Sequence, residues 1–90
     1  MLRKLTPKEA AKDVIELAIR RGVALFNAGQ PSACTAIYEV VVESLLKSHS
    51  NTLDSDDRSI LESTLRRVRS GDEDPHQQAL RLRRTLDAVH

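Results

Sequence analysis

Residues 22–46 read GVALFNAGQPSACTAIYEVVVESLL, and the punctuation of this stretch decides the fold. Gly22 and Gly29 stand seven positions apart with Leu25-Phe26-Asn27 between them, and Gln30-Pro31 opens a second apolar run that holds Tyr38. Glycine ends a helix in the left-handed conformation without strain, and proline suits the first position of the next helix. Two helices joined by a tight turn follow from this pattern, with Gly22 placed where their backbones can approach closely.

Upstream, Thr6-Pro7-Lys8-Glu9 has the form of a capping box with proline at the first helical position. The first helix is therefore expected over about 7–28. Ala10, Val14, Leu17, Ala18, Arg21 and Leu25 recur at three- and four-residue spacing on one face, and Ile15, Ile19, Gly22 and Phe26 on an adjacent one. So wide an apolar arc suits a helix with two neighbours. The second helix is expected over 31–48. Ala33, Cys34, Ala36, Ile37, Val40, Val41, Val42, Leu45 and Leu46 cover most of its circumference, leaving Thr35, Glu39, Glu43 and Lys47 to face solvent. It reads as the most buried helix of the set.

Downstream, His49-Ser50-Asn51-Thr52 is polar and reads as a loop. Asp54 or Ser55 caps a third helix over 55–69, whose stripe is Ile60, Leu61, Thr64, Leu65 and Val68. Ser70-Gly71 stops it, and Asp74-Pro75 starts a fourth over 75–89, with Ala79, Leu82, Leu86 and Val89 in its stripe and Leu80 beside it. The connections are short, so consecutive helices are expected as antiparallel neighbours. The predicted architecture is all-α, a single domain over 1–90 built as an antiparallel up-down-up-down four-helix bundle.

Gly22, Gly29, Cys34 and Tyr38 also fall in order on the small, turn, small and aromatic positions of a tetratricopeptide-type repeat, with Val41 at the next small position. The segment Gly22–Val41 thus resembles one such repeat, over under a third of the chain. Ala18 stands where the family carries tryptophan, Arg21 where it carries leucine, and Leu46 where it closes with proline. A second copy one 34-residue period on would need glycines at Asp56 and Ser63. The resemblance implies a packing arrangement and, for function, peptide binding.

The chain has 90 residues with a formal net charge of +1, a composition that fits a folded domain and gives no bulk attraction to nucleic acid or acidic membranes. No run approaches the roughly 18 apolar residues of a membrane span. Cys34 is the only cysteine, so an internal disulfide is excluded. Met1-Leu2-Arg3-Lys4-Leu5 lacks an apolar signal core, which makes the cytoplasm the expected compartment.

Chemistry-bearing patterns are few. Cys34 lies in the first turn of a helix, where the dipole can favour thiolate, although a small buried core residue is the commoner fate. Asp54, Asp56 and Asp57 suggest a calcium loop, but the glycine and glutamate that such a loop needs are Ser59 and Leu65. Glu73-Asp74-Pro75-His76 matches a Glu-x-x-His element formally, yet it straddles a proline turn without a second copy. No metal site, cofactor or catalytic constellation is therefore expected, and the chain reads as no enzyme. Arg66, Arg67, Arg69, Arg81, Arg83 and Arg84 are interleaved with acids, which favours a salt-bridged outer face over nucleic-acid binding.

The expected function is a non-enzymatic interaction domain that binds a protein partner or a second copy of itself, with Tyr38, Arg66, Arg81 and Arg84 as candidate contact residues. The alternative is a small ligand or cofactor held in an inter-helix cavity lined by Asn27, Cys34 and Tyr38. The side chains of Asn27 and Gln30 are expected to satisfy backbone groups at the Gly29 turn.

Overall fold

The computed structural model describes residues 6–90, so the reading of residues 1–5 as no secretory signal lies outside it. The helices are α1 (Pro7–Asn27), α2 (Pro31–Ser48), α3 (Ser55–Arg69) and α4 (Pro75–Val89), with a short 3-10 turn at Ser50–Thr52 inside the polar connection. Each boundary follows local chemistry. The Thr6 hydroxyl accepts from the Glu9 amide while the Glu9 carboxylate accepts from the Thr6 amide, completing the capping box. Asp54 and Asp74 accept in the same way from the amides of Asp57 and Gln77, each at 2.8 Å.

The α1/α2 turn is a complete Schellman motif. Gly29 takes φ of 78°, its amide donates to the Phe26 carbonyl, and the Gln30 amide donates to the Leu25 carbonyl. The orphan carbonyls at the end of α1 are thus met by the backbone itself. The sequence reading assigned that task to the side chains of Asn27 and Gln30, and neither performs it: Gln30 makes no side-chain cap bond. Asn27 keeps its carboxamide exposed at the end of α1.

The four helices form the all-α up-down-up-down bundle, but with an uneven cross-section. α2 is the hub: it packs most extensively on α1, nearly as extensively on α4, and also on α3. The α2/α4 pair would be diagonal in a square bundle. Here it is in close contact, and α1 and α4 touch only sparingly. The molecule is accordingly a slab, 41 × 30 × 17 Å. Small side chains make the short diagonal possible, since Cys34 and Thr35 of α2 and Ala79 of α4 are all buried. The Thr35 hydroxyl donates to the Pro75 carbonyl at 2.7 Å, pinning the start of α4 to α2.

The continuous core runs through Ile15, Ala18, Tyr38, Val42, Leu45, Leu61, Leu65, Leu82 and Leu86. Burying such side chains contributes about 1.5–3 kcal/mol each before the entropy of ordering is set against it. Between α3 and α4 the core includes one polar contact, Thr64 to Thr85, with hydroxyls 2.7 Å apart.

Three assignments on α2 change, one of them Ala36, an expected apolar position that is exposed. Thr35, expected at the surface, is only 6% exposed because the N-terminus of α4 lies over it. Val40, expected among the apolar positions that pack, is 65% exposed. On α1 the buried set is Ala11, Ile15, Ala18 and Gly22, and Leu17 of the other expected face is 46% exposed. Ile60 and Leu80 stand at the edges of their stripes and are also exposed, while Thr85 joins the buried stripe of α4.

Candidate functional site

The open seam between α1 and α4 creates a cavity of about 250 Å³. Its depth follows from the uneven packing: α4 is drawn onto α2, so α1 and α4 cannot close over the gap. Cys34 and Tyr38 of α2 line it, together with Ala79 of α4. Val23 and Phe26 from α1 face Leu80 from α4 as apolar walls. Asn27 and Arg83 are the polar residues that complete it. Phe26 stacks at a tilt on His76, ring centroids 4.7 Å apart, which spans the seam from α1 to α4.

Tyr38 is set by Gly22. A Cβ built at position 22 would lie inside contact distance of the Tyr38 ring, 2.6 Å from its hydroxyl oxygen, so only glycine lets α1 lie flat on the tyrosine. The ring is 2% exposed and its hydroxyl end reaches Cys34 and Arg83. A phenol, a thiol and a guanidinium therefore meet beside the cavity. Burial pushes the Cys34 thiol above its ordinary value, and the Tyr38 hydroxyl and the Arg83 charge only partly offset this. Burial thus works against the thiolate that a position in the first turn of α2 would favour. Burial likewise raises Tyr38, and the adjacent Cys34 reinforces the shift. For Arg83, burial opposes the charge, but hydrogen bonding to Asp87 and to Tyr38 outweighs it and holds the guanidinium above its usual range.

Arg83 is anchored from one side. Its Nε donates to both Asp87 oxygens, at 3.2 and 3.1 Å, an i,i+4 pair on α4. The Nη edge has no carboxylate partner among the described residues. The Asn27 carboxamide is also without a side-chain hydrogen bond among them. These two groups, with Tyr38, give the cavity its polar character.

The residues expected from sequence separate into two groups. Asn27, Cys34 and Tyr38 line the same cavity. Tyr38, read also as a partner anchor, is buried against Gly22 and lines that cavity. The arginines lie elsewhere. Arg81 holds Glu73 bidentately at 2.7 and 2.8 Å, and this bond depresses the Glu73 carboxyl below its usual value. Arg66 and Arg84 are exposed, and neither has an ion-pair partner among the described residues. Arg66 lines a shallow groove with Arg69 and Leu46 between α2 and α3. Arg69 bridges Glu39 and Glu43 across those helices, at 3.2 and 2.7 Å.

Arg83 is the site residue that sequence reading placed only within a basic surface. A signal was present in the Arg83–Asp87 spacing, which marks a helix-face pair, but its direction toward α1 depends on how α4 is rotated against α2. Glu73, half of the Glu-x-x-His element, is occupied by Arg81, and no cluster of three potential metal ligands occurs among the described residues. No helix among them is long and apolar enough to cross a membrane. Comparison with known protein families, with curated proteins and with solved structures finds no match to this chain.

Proposed function

We propose that the protein is a non-enzymatic binding domain that holds a small ligand in the α1/α2/α4 cavity. The observation that carries this reading is that Asn27, Tyr38 and Arg83 line one cavity with apolar walls, the Tyr38 hydroxyl within hydrogen-bond reach of the Arg83 guanidinium. A concave apolar site with a few aimed polar groups is what small-molecule binding requires. At about 250 Å³ it lies just under the usual range for drug-sized ligands, so the occupant is small. The non-enzymatic part rests on the chemistry of the groups present. A permanently charged guanidinium, a phenol and a thiol both raised by burial, and a carboxamide exchange no proton readily near neutral pH.

A fragment screen followed by amide chemical shifts tests the reading. Bound fragments are expected to move the resonances of residues 23–27, 34–38 and 79–83 together. In the Leu80→Trp variant, which places an indole at the rim, those shifts should vanish. A screen whose hits scatter over the surface, or that yields none, removes the reading.

Self-association is favoured by a separate observation. Val40 of α2 is 65% exposed and Leu17 of α1 is 46% exposed, large apolar side chains that the bundle leaves uncovered on these two helices. A second copy could cover these side chains isologously, and a net charge of +1 offers little repulsion. Sedimentation velocity across a concentration series is expected to show a dimer that Val40→Glu returns to monomer. A single monomeric boundary at every concentration rejects this second reading.

A further inference from the structure

We infer that the cavity selects a small monocarboxylate with an apolar body, its carboxylate seated on the Nη edge of Arg83. The inference rests on the ligand-binding reading above and adds the chemical class.

Three features lead to it. Among the described residues, Arg83 is the only formally charged one lining the cavity, so the site favours an anion over a cation. Its guanidinium is already oriented, because Nε is committed to Asp87 at 3.1–3.2 Å while the Nη donors have no carboxylate partner among the described residues. Two parallel N–H groups fixed in a plane match the two oxygens of a carboxylate, and such paired charge-assisted bonds are stronger than bonds to a neutral acceptor. The Tyr38 hydroxyl, within reach of the same guanidinium, supplies a further hydrogen-bonding group beside the bound oxygens.

The apolar walls dictate the rest of the ligand. Val23 and Phe26 stand opposite Leu80 and can enclose an aliphatic chain or a single ring, while Asn27 remains for a polar atom near the mouth. A phosphate fits less well. Its second charge would face one guanidinium that already shares its field with Asp87, with no second cation among the described residues that line the cavity.

The test uses 4-methylpentanoate and its isosteric amide, 4-methylpentanamide, titrated into the full chain at neutral pH with amide chemical shifts as the readout. The acid is expected to bind about tenfold more tightly than the amide, as paired charge-assisted hydrogen bonds require. In Arg83→Gln that ratio should fall to about one, mainly through lost affinity for the acid; amide resonances away from the cavity that match the parent's show that the variant is folded. Arg83→Lys, which keeps the charge and loses the planar fork, should restore only part of the preference. If the acid binds no better than the amide, the monocarboxylate assignment is wrong, although the cavity would still be a ligand site. If neither probe moves the cavity resonances, the assignment is equally overturned, and the fragment screen then decides separately whether the cavity binds anything.

Discussion

In the α3/α4 pair, several polar groups end on one another. The Thr64 and Thr85 hydroxyls lie 2.7 Å apart in the core, Arg81 grips Glu73 with two bonds, and the Gln78 carboxamide donates to the Val68 carbonyl at 3.0 Å. The α1/α2 pair makes its closest approach quite differently, with the glycine of one helix against the tyrosine ring of the other. Its polar side chains, Asn27 and the Tyr38 hydroxyl, border a cavity, and α4 adds Arg83 to them. Groups satisfied by protein partners hold a structure together. Groups arranged beside an open space are in a position to meet something else, and this contrast locates the candidate site at the α1/α4 seam.

The largest effect expected from this comparison belongs to Gly22→Val. The new side chain meets the Tyr38 ring inside contact distance, and that ring lines the cavity. Overpacking of this kind costs about 3 kcal/mol, at the upper end of its usual range. For a chain of this size each 1 kcal/mol lowers the thermal midpoint by roughly 4–8 °C. Calorimetry should show that loss, and fragment binding should fall with it as the ring swings inward. A variant as stable as the parent would mean that the helices do not approach at Gly22.

The threonine pair gives a smaller and more diagnostic effect. Thr64→Val leaves the Thr85 hydroxyl buried without its partner, at about 1–3 kcal/mol. Thr85→Val should cost about the same, and the double substitution should be nearly neutral because no polar group is then stranded. Urea denaturation of the three variants measures the cycle. Additive losses would show that the two hydroxyls do not depend on each other, and the contrast drawn between the hairpins would lose one of its two sides.

How much of this was legible in the chain differs from element to element. The helix ends were, because capping is local: Thr6 with Glu9, Gly29 at φ of 78°, Asp54 with Asp57, Gly71 at φ of 79° and Asp74 with Gln77 each act within a few residues. The rotation of α2 was not. Its apolar residues run around most of the helix, so periodicity sets no single inward direction, and Thr35 and Val40 exchanged places when α4 settled onto one side. Asn27, Cys34 and Tyr38 were legible as a group because the turn and the helix spacing place them near one another. Arg83 was not, since it joins them from a helix more than forty residues away along the chain.

The sequence by itself determined four helices, where they begin and end, and a close approach of the first two at Gly22, because each depends on residues close in the chain or on one spacing; that the Tyr38 ring is what meets Gly22 came from the structure. Only the tertiary structure decided that α2 and α4 would pack along the short diagonal and leave α1 and α4 apart. That choice depends on which small side chains, Cys34, Thr35 and Ala79, come face to face across the bundle. The cavity is a consequence of that close approach on one side and of the seam left open on the other.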